Sequence, residues 1–79
     1  MTQPTFITKF LGDGSSSMVC RQTGDTYLIG SKDHRGDCYC YREGEFFTFG
    51  ARAIVLNAIE TDARWSIRVS EQHKLALTH

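Results

Sequence analysis

An α+β fold, in which an antiparallel sheet of about five or six strands is covered on one face by a single helix, is predicted by three features of this sequence. Residues Ala51, Ile54, Val55, Ala58 and Ile59 fall at i, i+3, i+4, i+7 and i+8, which is one face of a 3.6-residue period. Short runs rich in β-branched and aromatic residues, separated by glycine-containing polar clusters, fill the chain before that helix. After it the period changes to two, with Trp65, Ile67 and Val69 on one side and Arg64, Ser66, Arg68 and Ser70 on the other. A sheet with one apolar face must bury it against something, and the helix supplies the cover. With 79 residues there is material for one small domain.

The first strand is expected over residues 5–11, where Phe6, Thr8 and Phe10 alternate with Ile7, Lys9 and Leu11. Gly12-Asp13-Gly14-Ser15-Ser16 turns the chain, because its glycines permit positive φ and its short polar side chains bond a turning backbone. A second strand over residues 17–22 and a third over 26–30 are joined by the tight Thr23-Gly24-Asp25 turn. Residues 31–37 form a polar loop. The fourth strand, 38–42, sets Cys38 and Cys40 on one face and Tyr39 and Tyr41 on the other. Glu43-Gly44 reads as a hairpin turn into residues 45–47, either a fifth strand or the lead-in to the helix, and the helix follows over 49–60. Residues 64–70 are then expected as a half-buried strand, and 71–79 as either an edge strand or a loose end. The expected core comprises Phe6 or Ile7, Val19, Leu28, Ile29, Ile54, Val55, Ala58, Ile59, Trp65, Ile67 and Val69.

An apolar fraction of 41% and a charged fraction of 23% belong to a globular chain rather than a disordered one. Nine basic and nine acidic residues cancel, so no net field draws in nucleic acid or an anionic membrane, and bulk mimicry of DNA is disfavoured. The absence of a long apolar run and of a basic-then-apolar leader makes the cytoplasm the expected compartment. In that reducing setting Cys20, Cys38 and Cys40 read as free thiols acting as small apolar side chains.

Catalytic and metal signatures are weak. His34, Cys38 and Cys40, with Cys20 or His73, supply zinc-type ligands, but Cys-x-Cys on a strand lacks the turn spacing of structural zinc sites. Ser15, Ser16 and Ser17 lack a nucleophile elbow, and Gly12-x-Gly14 lacks the rest of a phosphate or dinucleotide loop. No enzyme, metal or cofactor is expected. Tyr39 and Tyr41 on one strand, with Arg42 beside them and Arg64 and Arg68 on the polar face of another, would make a stacking surface with cationic edges. A small nucleic-acid-binding domain is therefore the alternative to a protein-binding one.

The strand meander, the run Phe47-Thr48-Phe49-Gly50-Ala51-Arg52-Ala53 opening one amphipathic helix, and the Trp65-Ser66-Ile67-Arg68-Val69 segment together resemble small phage-borne anti-CRISPR proteins. The layout is similar in particular to inhibitors of type I Cascade complexes, of the I-C subtype. Many such inhibitors are strongly acidic, and this chain departs from that pattern. The resemblance implies a non-enzymatic inhibitor in the bacterial host cell. It would bind a Cas subunit and block target-DNA binding through shape-specific contact rather than a general negative field, without touching nucleic acid itself. The partner-binding surface expected from the residues is the 32–37 loop with its neighbours: Asp33, His34, Arg35, Asp37, Tyr39, Tyr41, Glu43 and Glu45, with Glu43 and Glu45 adding acid near the same end. Zero net charge and an open edge strand near either terminus also favour a homodimer.

Overall fold

The computed structural model describes residues 3–77. Five strands, β1 (Phe6–Phe10), β2 (Ser16–Cys20), β3 (Thr26–Ile29), β4 (Asp37–Arg42) and β5 (Glu45–Ala51), are followed by one helix, α1 (Arg52–Leu77). The strands form a single antiparallel meander in the order β1-β2-β3-β4-β5. This is the expected α+β fold, with five strands and one helix. The β4–β5 turn is the tightest: Glu43 and Gly44 both have positive φ, 51° and 82°, the pair that a two-residue hairpin with the right twist requires. One irregularity matters later. Cys40 pairs with Thr48 and Tyr41 with Phe46, so Phe47 is an extra residue and β5 bulges there.

The helix departs from expectation. It runs 26 residues, more than twice the expected span, and absorbs both segments read as strands, 64–70 and the described part of 71–79. Residues 78 and 79 of the expected edge strand lie outside the described residues. The reason is a longer-range pattern. Val55, Ile59, Ala63 and Ile67 are spaced four apart and all buried, so the helical face continues through the segment whose local alternation suggested a strand. Between Gly50 and Leu77 there is neither glycine nor proline to stop a helix once nucleated. Glu60 and Arg64 add an i,i+4 ion pair at 2.7 Å across the expected break.

Each strand presents alternate residues to this helix. Tyr27, Ile29, Cys38 and Cys40 close around Val55 and Ile59, with Phe6, Met18, Phe47 and Leu56 packed at the margin. Further along, Ala63 and Ile67 pack on Cys20 and Phe6. The helix thus crosses the sheet from β5 and β4 towards β2 and β1. At 1.5 Å per residue it is about 39 Å long, whereas the longest strand spans about 23 Å, which explains the elongated 52 × 21 × 20 Å envelope.

Several expected core residues lie elsewhere. Ile7, Leu28, Ile54, Trp65 and Val69 are exposed, and Val19 and Ala58 are half-buried. In β3 adjacent residues cannot both face inward, and Tyr27 takes the inner side with Ile29, leaving Leu28 out. Ile54, Trp65 and Val69 fall outside the four-residue ridge that meets the sheet. Ile59→Ala is therefore expected to destabilise the fold by about 2–5 kcal/mol, the range for opening a cavity in a packed core. Trp65→Ala, on the outer side of the helix, should change stability by less than about 0.5 kcal/mol. Urea unfolding midpoints of the two variants check both values.

Candidate functional site

Because the helix covers only one side, the other side of the sheet is open. Ile7, Leu28, Tyr39, Tyr41, Phe46 and Phe49 stand on it, each between 36% and 61% exposed. Strand pairing makes them neighbours: Leu28 lies opposite Tyr41, Tyr41 opposite Phe46, and Tyr39 opposite Phe49. The Tyr39 ring lies 4.5 Å from that of Phe49 and 6.3 Å from that of Phe46, which is also 6.3 Å from Tyr41. These are the separations of mutually packed aromatic pairs. Four rings therefore form one strip along β4 and β5, flanked by Leu28. Contiguous apolar surface of this kind on a small protein marks a contact site more often than a bare surface.

The sequence-predicted residues fall into three places. Tyr39 and Tyr41 are in the strip, opposite the buried thiols of Cys38 and Cys40. Asp33, His34 and Arg35 are exposed in the β3–β4 loop, and the half-buried Asp37 opens β4. Glu43 and Glu45 lie at the other end of β4, roughly 20 Å away along a six-residue strand, rather than near the same end. The acids thus bracket the strip instead of clustering beside it. Asp33 is also part of its own loop's structure, since its Oδ1 accepts hydrogen bonds from the backbone N–H of Arg35 at 2.8 Å and of Asp37 at 3.0 Å. Glu43 accepts one from the Thr26 N–H at 2.6 Å.

Sequence reasoning missed Phe46 and Phe49. They are three apart, so strict alternation cannot put them on one face, and only the bulge at Phe47 does so. It also missed a polar cluster between sheet and helix. The Tyr27 hydroxyl, on a fully buried residue, donates to Asp62 Oδ2 at 2.5 Å, and Arg42 Nε donates to the same oxygen at 2.8 Å. Arg42 Nη2 reaches Asp25 Oδ2 at 3.0 Å, and that oxygen also accepts from Ser66 and Thr23. Burial and the Asp62 acceptor both hold the Tyr27 hydroxyl protonated, far above its usual range. For Asp25, burial pushes the carboxyl up, but the hydroxyls of Ser66 and Thr23 and the Arg42 charge together carry it below the usual 3.8.

This cluster alters the expected cationic edge. Arg42 faces the helix, held by two acids, and Arg64 and Arg68 lie on a helix rather than a strand, Arg64 paired with Glu60. Lys9 is the only strand lysine or arginine on the open side. Burial, with Asp62 and Cys38 adding to it, pushes the Cys40 thiol up to about 11, so it is not a thiolate at neutral pH. Among the described residues no three His, Cys, Asp or Glu side chains gather as a metal-binding group, and no helix is long and apolar enough to cross a membrane. No family model, curated protein or solved structure matches this chain.

Asp62→Ala is expected to cost about 1–3 kcal/mol, because it leaves the buried Tyr27 hydroxyl without an acceptor. Asp25 has a folded-state pKa below its unfolded value, so its contribution is present above pH 3.8 and is lost as pH falls below that. Asp25→Asn should therefore be less stable than the natural chain at pH 7, with the difference shrinking below pH 3.8. Unfolding midpoints measured across that acid range provide the check.

Proposed function

We propose that this chain is a non-enzymatic binding protein that docks on another protein through the open face of its sheet. Its target, on this proposal, is a Cas subunit of a type I Cascade complex, and its effect is to block target-DNA binding. The observation that carries the docking role is the strip of Tyr39, Tyr41, Phe46 and Phe49, exposed, with Asp37 on the same side at one end and the turn region of Glu43 and Glu45 at the other. Tyrosine and phenylalanine bring large contact area at low conformational cost, and flanking acids suit a partner with a basic rim. A surface that handles nucleic acid has that character. The choice of Cascade comes from the resemblance of the strand meander and single helix to phage-borne inhibitors, of which the strand once expected over 64–70 is no longer part.

Bare nucleic acid is the competing target, favoured by the exposed rings. It is opposed by the single lysine on that face and by the engagement of Arg42 with Asp25 and Asp62. Phosphate contacts would show as binding that falls steeply with salt; the expectation is no measurable binding to single- or double-stranded nucleic acid even at low salt.

Co-purification with type I Cascade, followed by a target-DNA binding assay, tests the proposal directly. Retention with loss of DNA binding is expected; no retention and unchanged DNA binding would overturn it. The double variant Tyr39→Ala, Tyr41→Ala should cost about 2 kcal/mol or more of binding, as removal of central interface aromatics does. Asp37→Ala with Glu45→Ala should weaken it less. Both should melt within a few degrees of the natural chain, since neither pair is in the core; a large fall in melting temperature would instead make the strip structural.

A further inference from the structure

We infer that, when no target is bound, two copies of this chain close on each other through their open sheet faces. The inference shares its surface with the proposed docking site, and it adds that target and second copy compete for it. The area is of the right size. Six side chains between 36% and 61% exposed present on the order of 600 Å² per copy, and a stable interface takes about 800 Å² from each partner. Lys9, Ser17, Val19 and Thr26, on the same side of β1, β2 and β3, extend the patch towards that figure. A monomer rarely leaves a contiguous apolar patch of such size uncovered.

Charge permits the pairing. Nine acidic and nine basic residues give no net repulsion between copies. The face is also self-complementary under a two-fold axis. One row of paired residues crosses the whole sheet: Lys9, Ser17, Leu28, Tyr41 and Phe46. An axis parallel to the strands and passing over β3 lays β1 of one copy above β5 of the other. Leu28 then meets Leu28 at the centre, and the Lys9 ammonium comes over the Phe46 ring of the second copy. That contact is a cation on an aromatic face, one at each side of the dyad. Sheets packed face to face stand about 10 Å apart with their strands some 30° from parallel, which leaves both helices on the outside. The assembly has four layers: helix, sheet, sheet, helix.

Sedimentation equilibrium on the full chain, from low micromolar to near-millimolar concentration, tests this. The expected result is a particle of twice the 8.9 kDa chain mass that dissociates on dilution. Leu28→Glu and Phe46→Glu should each raise the dissociation constant at least tenfold, with the helical circular-dichroism signal retained. Lys9→Glu, at an exposed residue that carries no risk to folding, should raise it several-fold, whereas Lys9→Arg, which keeps the cation, should leave it nearly unchanged. Trp65→Glu, on the far side of the helix, should leave it unchanged. A monomer at every concentration overturns the inference, as does a dimer that ignores the face variants or is lost in Trp65→Glu. The two proposals fail separately: a monomer that is retained on Cascade ends the dimer alone, and a dimer that is not retained ends the Cascade target alone.

Discussion

The hydrogen bond from the Tyr27 hydroxyl to Asp62 is the constraint on which the arrangement depends. A fully buried tyrosine needs a partner for its hydroxyl, because an unpaired buried polar group costs about as much as several methylenes of burial return. Asp62 supplies that partner from the helix, and Arg42 offsets the charge that the carboxylate brings inside. Asp25 then takes the second arm of the guanidinium and a hydroxyl bond from Ser66 one turn further along. The helix is thereby tied at two successive turns to β3, β4 and the β2–β3 turn. Apolar contacts between Val55, Ile59 and the sheet are non-directional and would tolerate sliding; the hydrogen bonds require one position.

Fixing Tyr27 inward sets the pleat of β3, and pairing carries the same choice across the sheet. Leu28 must face out, Tyr41 lies opposite it, and the thiols of Cys38 and Cys40 turn towards the helix. The bulge at Phe47 then shifts β5 so that Phe46 and Phe49 both join the outer side. The aromatic strip therefore follows from the inner hydrogen bonds, the ladder and a single extra residue. One helix cannot cover both faces of a five-stranded sheet, and the strip is left exposed.

The same packing sets the surroundings of the cysteines and of Arg42. Cysteines that a sequence reader weighs as ligands or nucleophiles are closed in under the helix, and the Cys40 thiol, held protonated by burial, behaves as a small apolar side chain. His34 stands exposed in the loop beyond the end of β4, apart from those thiols. Arg42, which looks from the sequence like a surface cation beside two tyrosines, is instead neutralised between two aspartates. What remains accessible on the open face is apolar area with charge at its margins, the composition of a protein-contact surface.

The sequence by itself determined the α+β class, the first four strands with their turns, the start of the single helix to within three residues, and the opposition of thiols and tyrosines on β4. Each of these rests on a local period or a turn that glycine and short polar residues specify within a few positions. That β5 continues to Ala51, through residues 49–51 expected as helix, was decided by its pairing with β4. The extent of the helix was decided by tertiary structure. Trp65, Ile67 and Val69 satisfy a strand's alternation, but only Ile67 finds the sheet, in series with Ala63 and Ile59, and local periodicity cannot distinguish the two outcomes. The inward choice of Tyr27 over Leu28, the pairing of Arg42 with Asp25 and Asp62, and the convergence of Phe46 and Phe49 were also decided there. Those depend on partners 20 to 35 residues away and on a bulge whose position is set by pairing, and neither leaves a signal in a short window of sequence.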